Sequence, residues 1–151
     1  MSTRLRQIGA LTLTLLFSGC GTFHDTARST RTEGGVRSEG GATIISGRAL
    51  DERQGSILGA IQGRVPGMQI YRHHDRCPQV TLRSHVTFET IVNPHVYVDG
   101  TRALDTCILE TLRTDDVASV EVYPMGFTTR PGYGTHAHGL ILIFMRSAGN
   151  P

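Results

Sequence analysis

The chain contains no lysine and no tryptophan. All 15 basic residues are therefore arginine, set against 13 acidic residues. Two of the arginines, Arg4 and Arg6, precede residue 20, so the rest of the chain carries equal numbers of each sign. A balanced chain of this kind has no nucleic-acid footprint. The missing lysine fits a GC-rich coding sequence better than a function. No apolar run approaches the ~20 residues that a membrane-spanning helix needs. The G-x-S-x-G elbow, the phosphate loop and the H-E-x-x-H motif are also missing, and no spacing of Ser, His and Asp picks out a triad. These absences argue against an enzyme and imply no cofactor.

What is present begins at the N-terminus. Residues 1–6 carry Arg4 and Arg6 and no acid, and residues 8–17 form a short apolar stretch. Ser18 and Gly19 then lead into Cys20. A charged start, a short apolar core and small residues at its end predict a signal peptide over 1–19. The stretch LFSGC at 16–20 resembles the lipobox of bacterial lipoproteins, with Phe17 where leucine is usual. That resemblance implies a lipid on Cys20, and Gly21 behind it, rather than an acid, implies the outer membrane. The expected location is thus the cell envelope, as a periplasm-facing lipoprotein held to the membrane by its lipid. The alternative is an ordinary secretory signal and a soluble periplasmic product.

With Cys20 assigned to lipid, Cys77 and Cys107 remain as an even pair. In an oxidising compartment a disulfide is the default expectation for such a pair. A reactive thiol or a metal ligand is the competing use.

Residues 20–46 are rich in Gly, Ser, Thr and Arg and show no apolar period, which predicts a lipidated flexible tether. A folded domain is expected over 47–147 and a disordered tail over 148–151. Leu50, Ile57, Leu58 and Ile61 share one helical face, Ser56 is placed to cap a helix over 57–62, and Gly63 to end it. Pro66 and Gly67 form a turn before a strand at 68–71. Alternation predicts strands at 80–84 and 95–98, with Asp99 and Gly100 as a hairpin turn. Leu104, Ile108 and Leu112 predict a helix over 103–112 with Cys107 on it. Strands follow at 117–123 and at 140–145, the latter being the most apolar run and the expected sheet centre. The interleaving implies an α+β class: a small mixed β-sheet with short helices over one face.

The order of these motifs is familiar. IQGRVPGMQI at 61–70, containing Arg64, Pro66 and Gly67, resembles the opening of the plug domain of TonB-dependent outer-membrane receptors. VTLR at 80–83 is similar to that family's second strand. PHVYVDG at 94–100, LRTDDVASVEVY at 112–123 with Glu121, and the run from Tyr133 and Gly134 through Gly139 to Arg146 complete the match. The chain departs from the family at Ser84, where the plug has glycine, and residues 42–46 (ATIIS) make a poor TonB box. The resemblance implies a plug-like fold without a transport barrel. It implies no catalytic residues and, as partners, an outer-membrane receptor or another envelope protein.

Alternation places Val96, Val98, Val120, Val122, Ile141 and Ile143 in the sheet core, with Glu121 on the opposite face facing Arg83 or Arg146. Asp115 and Asp116 read as helix-capping residues rather than a catalytic pair. Four histidines are weak metal candidates: His73 and His74 beside Cys77, and His136 and His138 at strand spacing. They motivate a rival expectation, a periplasmic protein that binds metal or another ligand.

Overall fold

The computed structural model describes residues 35–83 and 91–147. The signal peptide, Cys20, the first part of the expected tether, Ser84 and the 148–151 tail lie outside them. The elements run β1 (Val36–Glu39), β2 (Ala42–Ser46), α1 (Arg48–Asp51), α2 (Ile57–Ile61), β3 (Gln69–His73), β4 (Arg76–Thr81), β5 (His95–Val98), β6 (Thr101–Arg102), α3 (Ile108–Thr111), β7 (Val117–Tyr123) and β8 (Leu140–Met145). Six strands form one sheet in the order β1-β2-β7-β8-β5-β6, and β3 pairs with β4 in a separate two-stranded sheet. Only β5 and β8 run parallel; the other neighbours are antiparallel. The fold is the small α+β arrangement that the interleaved pattern implies. Among the described residues no helix is long and apolar enough to cross a membrane.

The tether boundary needs correction. Residues 36–46 form β1 and β2, and β2 lies between β1 and β7. Alternation sends Ile45 to one face of the sheet and Ile44 to the other, and both are buried. Two isoleucines among glycines are too few to lower the average polarity of the segment, yet enough to seat a five-residue strand. The same pairing makes residues 42–46 an inner strand rather than a free box.

The first face of the sheet is closed by the helices. Ile45, Val96, Val120, Val122, Ile141 and Ile143 meet Leu50, Ile57, Leu58, Ile61 and Leu109 there, with Val98 packed alongside. At five residues α2 is far too short to persist alone. Burial of Ile57, Leu58 and Ile61 holds it, and the Ser56 side chain accepts a hydrogen bond from the Gly59 amide at 3.3 Å. Arg64 donates to the Ala49 and Ala60 carbonyls and faces Glu52 at 3.7 Å, so it clamps α1 to α2. Pro66 and Gly67 form an exposed turn leading to β3.

Two expectations are only partly met. The helix over 103–112 shrinks to α3: the Asp105 carboxylate accepts from the Cys107 amide at 2.9 Å, so Cys107 stands at the N-cap and Leu104 projects fully into solvent. Of the strand expected over 80–84, Val80 and Thr81 are the last residues of β4, outside the main sheet, and Leu82 and Arg83 lie past its end. Cys77 on β4 and Cys107 are joined by a disulfide with Cα atoms 4.6 Å apart, within the ordinary range. Beside it the Thr106 hydroxyl donates to the Pro78 carbonyl. These links tie the β3–β4 hairpin to the chain leading into α3.

Asp99 and Gly100 join β5 to β6 with φ of 45° and 85°, the left-handed pair of a two-residue hairpin turn. The Asp99 carboxylate also accepts from the Met145 amide at 2.9 Å, fixing the turn to the end of β8.

Candidate functional site

The second face of the sheet carries a smaller apolar group: Ala42, Ile44, Tyr123, Leu140 and Leu142, flanked by Tyr97, Tyr133 and Phe144. The 124–139 connection between β7 and β8 folds beside this group. Its ends are drawn together because His136 donates its amide to the Gly126 carbonyl at 2.8 Å. A Cβ on Gly126 would stand 1.7 Å from the His136 carbonyl oxygen, so this crossing requires glycine. Arg83 spans the junction from below, donating to the Pro124 carbonyl at 2.8 Å and the Ala137 carbonyl at 3.0 Å. Gly139 is a close-contact position too, since a Cβ there would meet Leu82 Cδ1 at 2.5 Å. Tyr133 packs edge-on against Tyr97 at 5.1 Å, and Gly134 is exposed in the loop.

Glu121 sits under the loop, on the opposite face from Val120 and Val122, and is 2% exposed. Its partner is Arg130, not Arg83 or Arg146. Arg130 donates through Nε at 2.7 Å and through a terminal nitrogen at 2.5 Å. The Tyr123 hydroxyl donates to the same carboxylate at 2.8 Å. The Arg130 guanidinium also lies 4.9 Å from the Phe144 ring centroid, a cation–π contact. The carboxylate holds the Arg130 pKa well above the usual arginine value, and burial raises that of Tyr123. Arg146 instead donates to the Val117 carbonyl and pairs with Asp51 at 2.6 Å. Nothing in the sequence marks Arg130 as the partner, because the loop has no period.

Two clefts of about 290 Å³ each flank this loop. One is lined by Arg37, Glu39, Ile44, Tyr123, Phe127 and Arg130. The other is lined by Pro94, His95, Arg102, Leu104, Asp105 and His136. In the second, the His95 and His136 rings stack at 3.5 Å, and His138 lies 5.4 Å beyond. Arg102 stands 2.7 Å from His95 Nε2. A guanidinium only donates, so this contact needs an unprotonated Nε2. Burial first, then the neighbouring His136 and Arg102 charges, push the His95 pKa below its ordinary value of 6.5.

Sequence spacing brings His136 and His138 together, as the fold does, but it does not single out His95, which arrives from β5. His73 ends β3 and His74 begins the following turn, in the separate two-stranded sheet. Among the described residues the one group with three donor atoms mutually within 4.8 Å is Cys77, Asp105 and Cys107. Both sulfurs there are engaged in the disulfide.

No protein-family profile and no curated protein matches the chain. Among solved structures it is similar to the RagAB peptide importer. In the "closed-closed" state the TM-score is 0.56 at 23% identity, over 74% of this chain and 13% of that one. In the "open-open" state the TM-score is 0.54 at 22% identity, over 70% and 12%. The chain therefore spans about an eighth of the importer chain it matches, and what the two share is a fold.

Proposed function

We propose that this chain is a non-enzymatic interaction module of the cell envelope, a plug-like domain tethered to the outer membrane by a lipid on Cys20. The observation that carries this reading is the likeness of three quarters of the chain to one small part of an importer chain. The five plug-like motifs, in order across 61–146, support it independently. The module works by docking, and its partner is an outer-membrane receptor or another envelope protein, with the 124–139 loop and its clefts as the recognition face. Glu121 already accepts three hydrogen bonds, so it serves to position the loop rather than to transfer protons. Crosslinking in native membranes followed by pulldown is expected to enrich an envelope protein. Recovery of none above an untagged control sinks the proposal. Acyl labelling is expected to disappear in Cys20→Ser, and its persistence removes the anchor.

The stacked His95 and His136 with His138 nearby favour one second reading, capture of a transition metal. Titration with zinc or copper before and after changing His95, His136 and His138 decides it. Binding that ignores all three changes eliminates this reading.

A further inference from the structure

Strand β1 is an edge of the six-stranded sheet, and among the described residues no strand pairs with its outer side. Its register determines which backbone groups face outward. Glu39 pairs with Ala42 and Arg37 with Ile44 across the two-residue Gly40–Gly41 turn. One step further, Ser46 donates its amide to the Gly35 carbonyl at 3.1 Å. In an antiparallel ladder the bonded pairs alternate, so residues 35, 37 and 39 turn their N–H and C=O toward β2. Val36 and Ser38 turn theirs outward. Arg37 and Glu39 share one face, where they pair with each other at 3.3 Å, and their side chains stay 50% and 69% exposed, free to exchange that contact for one across an interface. Natural edges are commonly blunted by proline or by charges that repel a copy of themselves. This one carries opposite charges, one on each side of Ser38.

We propose that a second copy of this chain pairs with β1, antiparallel, about a two-fold axis through Ser38. In that register Ser38 and the partner's Ser38 exchange both backbone hydrogen bonds. Arg37 then lies directly opposite the partner's Glu39, and Glu39 opposite the partner's Arg37, in the closer, non-bonded pairs where side chains interact most. The neighbouring registers that keep the outward groups bonded are each self-defeating. Shifting by two residues one way sets Arg37 against the partner's Arg37, and the other way sets Glu39 against the partner's Glu39. Like charges directly opposite are destabilising. The charge pattern of β1 thus selects one alignment and one occupant, itself. Directly opposite residues share a face, so the two clefts lined by Arg37, Glu39 and Arg130 meet across the axis. Four residues make a short seam, so the dimer is weak and reversible.

The test uses the full chain carrying Cys20→Ser, so that no other free thiol competes, with single cysteines introduced on β1. Across the axis the Ser38 positions are about 5.5 Å apart, within disulfide reach. Under mild oxidation Ser38→Cys is expected to give at least about five-fold more disulfide-linked homodimer than Val36→Cys or Arg37→Cys, since only position 38 meets itself. Adding Arg37→Glu to Ser38→Cys is expected to suppress the product by a similar factor, and adding Glu39→Arg as well to restore it. Circular dichroism and an intact Cys77–Cys107 bond confirm that each variant is folded. Equal crosslinking at all three positions, no product at 38 in a folded chain, or no rescue by the charge swap overturns the proposal. None of these outcomes involves an envelope partner, so they are independent of the docking function proposed above.

Discussion

The helix-covered and loop-covered faces of the main sheet share the same strands but are closed by different materials. Over the first, aliphatic side chains from three short helices interdigitate with alternate residues of β2, β7 and β8, and most are fully buried. Over the second, a glycine-punctuated loop is held by one buried carboxylate, one half-exposed arginine and a few rings. The first face spends its residues on stability. The second leaves clefts on both sides of the loop, with Met125 and Phe127 more than half exposed. Residues that pack are hard to replace, whereas residues at a cleft are free to be chosen for what they bind.

That contrast can be broken first on the helical face. Leu58→Ala, at a fully buried position, is expected to cost about 3–5 kcal/mol in denaturant unfolding. Phe127→Ala on the loop side should stay within about 0.5 kcal/mol. Equal losses would abolish the distinction between the faces. Removing the disulfide with paired Cys77→Ser and Cys107→Ser changes, with its separation of 30 residues, should cost roughly 3–4 kcal/mol. The same loss should follow chemical reduction of the unmodified chain.

A smaller effect is expected at the loop anchor. Arg130→Ala leaves the Glu121 carboxylate without its ion pair, and should cost about 1–3 kcal/mol, less than a fully enclosed pair because water reaches the guanidinium. Adding Glu121→Gln should recover part of that loss, a coupling measurable by a double-mutant cycle. Additive losses would show that the pair does not hold the loop.

The smallest effect is a pH slope from His95. Its folded-state pKa lies below 6.5, so its neutral form is the one the fold favours. Its contribution is complete above about pH 6.5 and is lost as pH falls toward the folded value. Thermal midpoints measured from about pH 7.5 to 5 should therefore fall less steeply in His95→Gln than in the unmodified chain. An unchanged slope would detach His95 from stability.

The helical face is also the more legible one from sequence. Strands β7 and β8 occupy the stretches 117–123 and 140–145 that alternation and apolar runs mark out, and Ser56 caps α2 as its position predicts. These signals are local and periodic. The loop face depends on contacts that no local pattern encodes. Arg130 reaches Glu121 through an irregular loop, and His95 meets His136 from a different strand. Leu104 misleads because a four-residue spacing suggests a helical stripe, while Asp105 delays the helix start. Strand β2 is missed because its partner Val122 lies almost eighty residues downstream of Thr43.

That last pairing has a consequence for how the chain is made. The polypeptide emerges N-terminus first, so the residues of β1 and β2 are made long before β7 can cover them, and on their own they form at best a marginal hairpin. Closing a contact of such large sequence separation is slow compared with forming the hairpin itself. Throughout that interval Ile44 and Ile45 are unshielded and both hairpin edges stand open, the profile of a segment that aggregates. A stalled or truncated chain lacking the last two central strands would keep this apolar ribbon on display. Its fate would then rest on whatever holds or degrades unfinished chains, well before any partner could engage it.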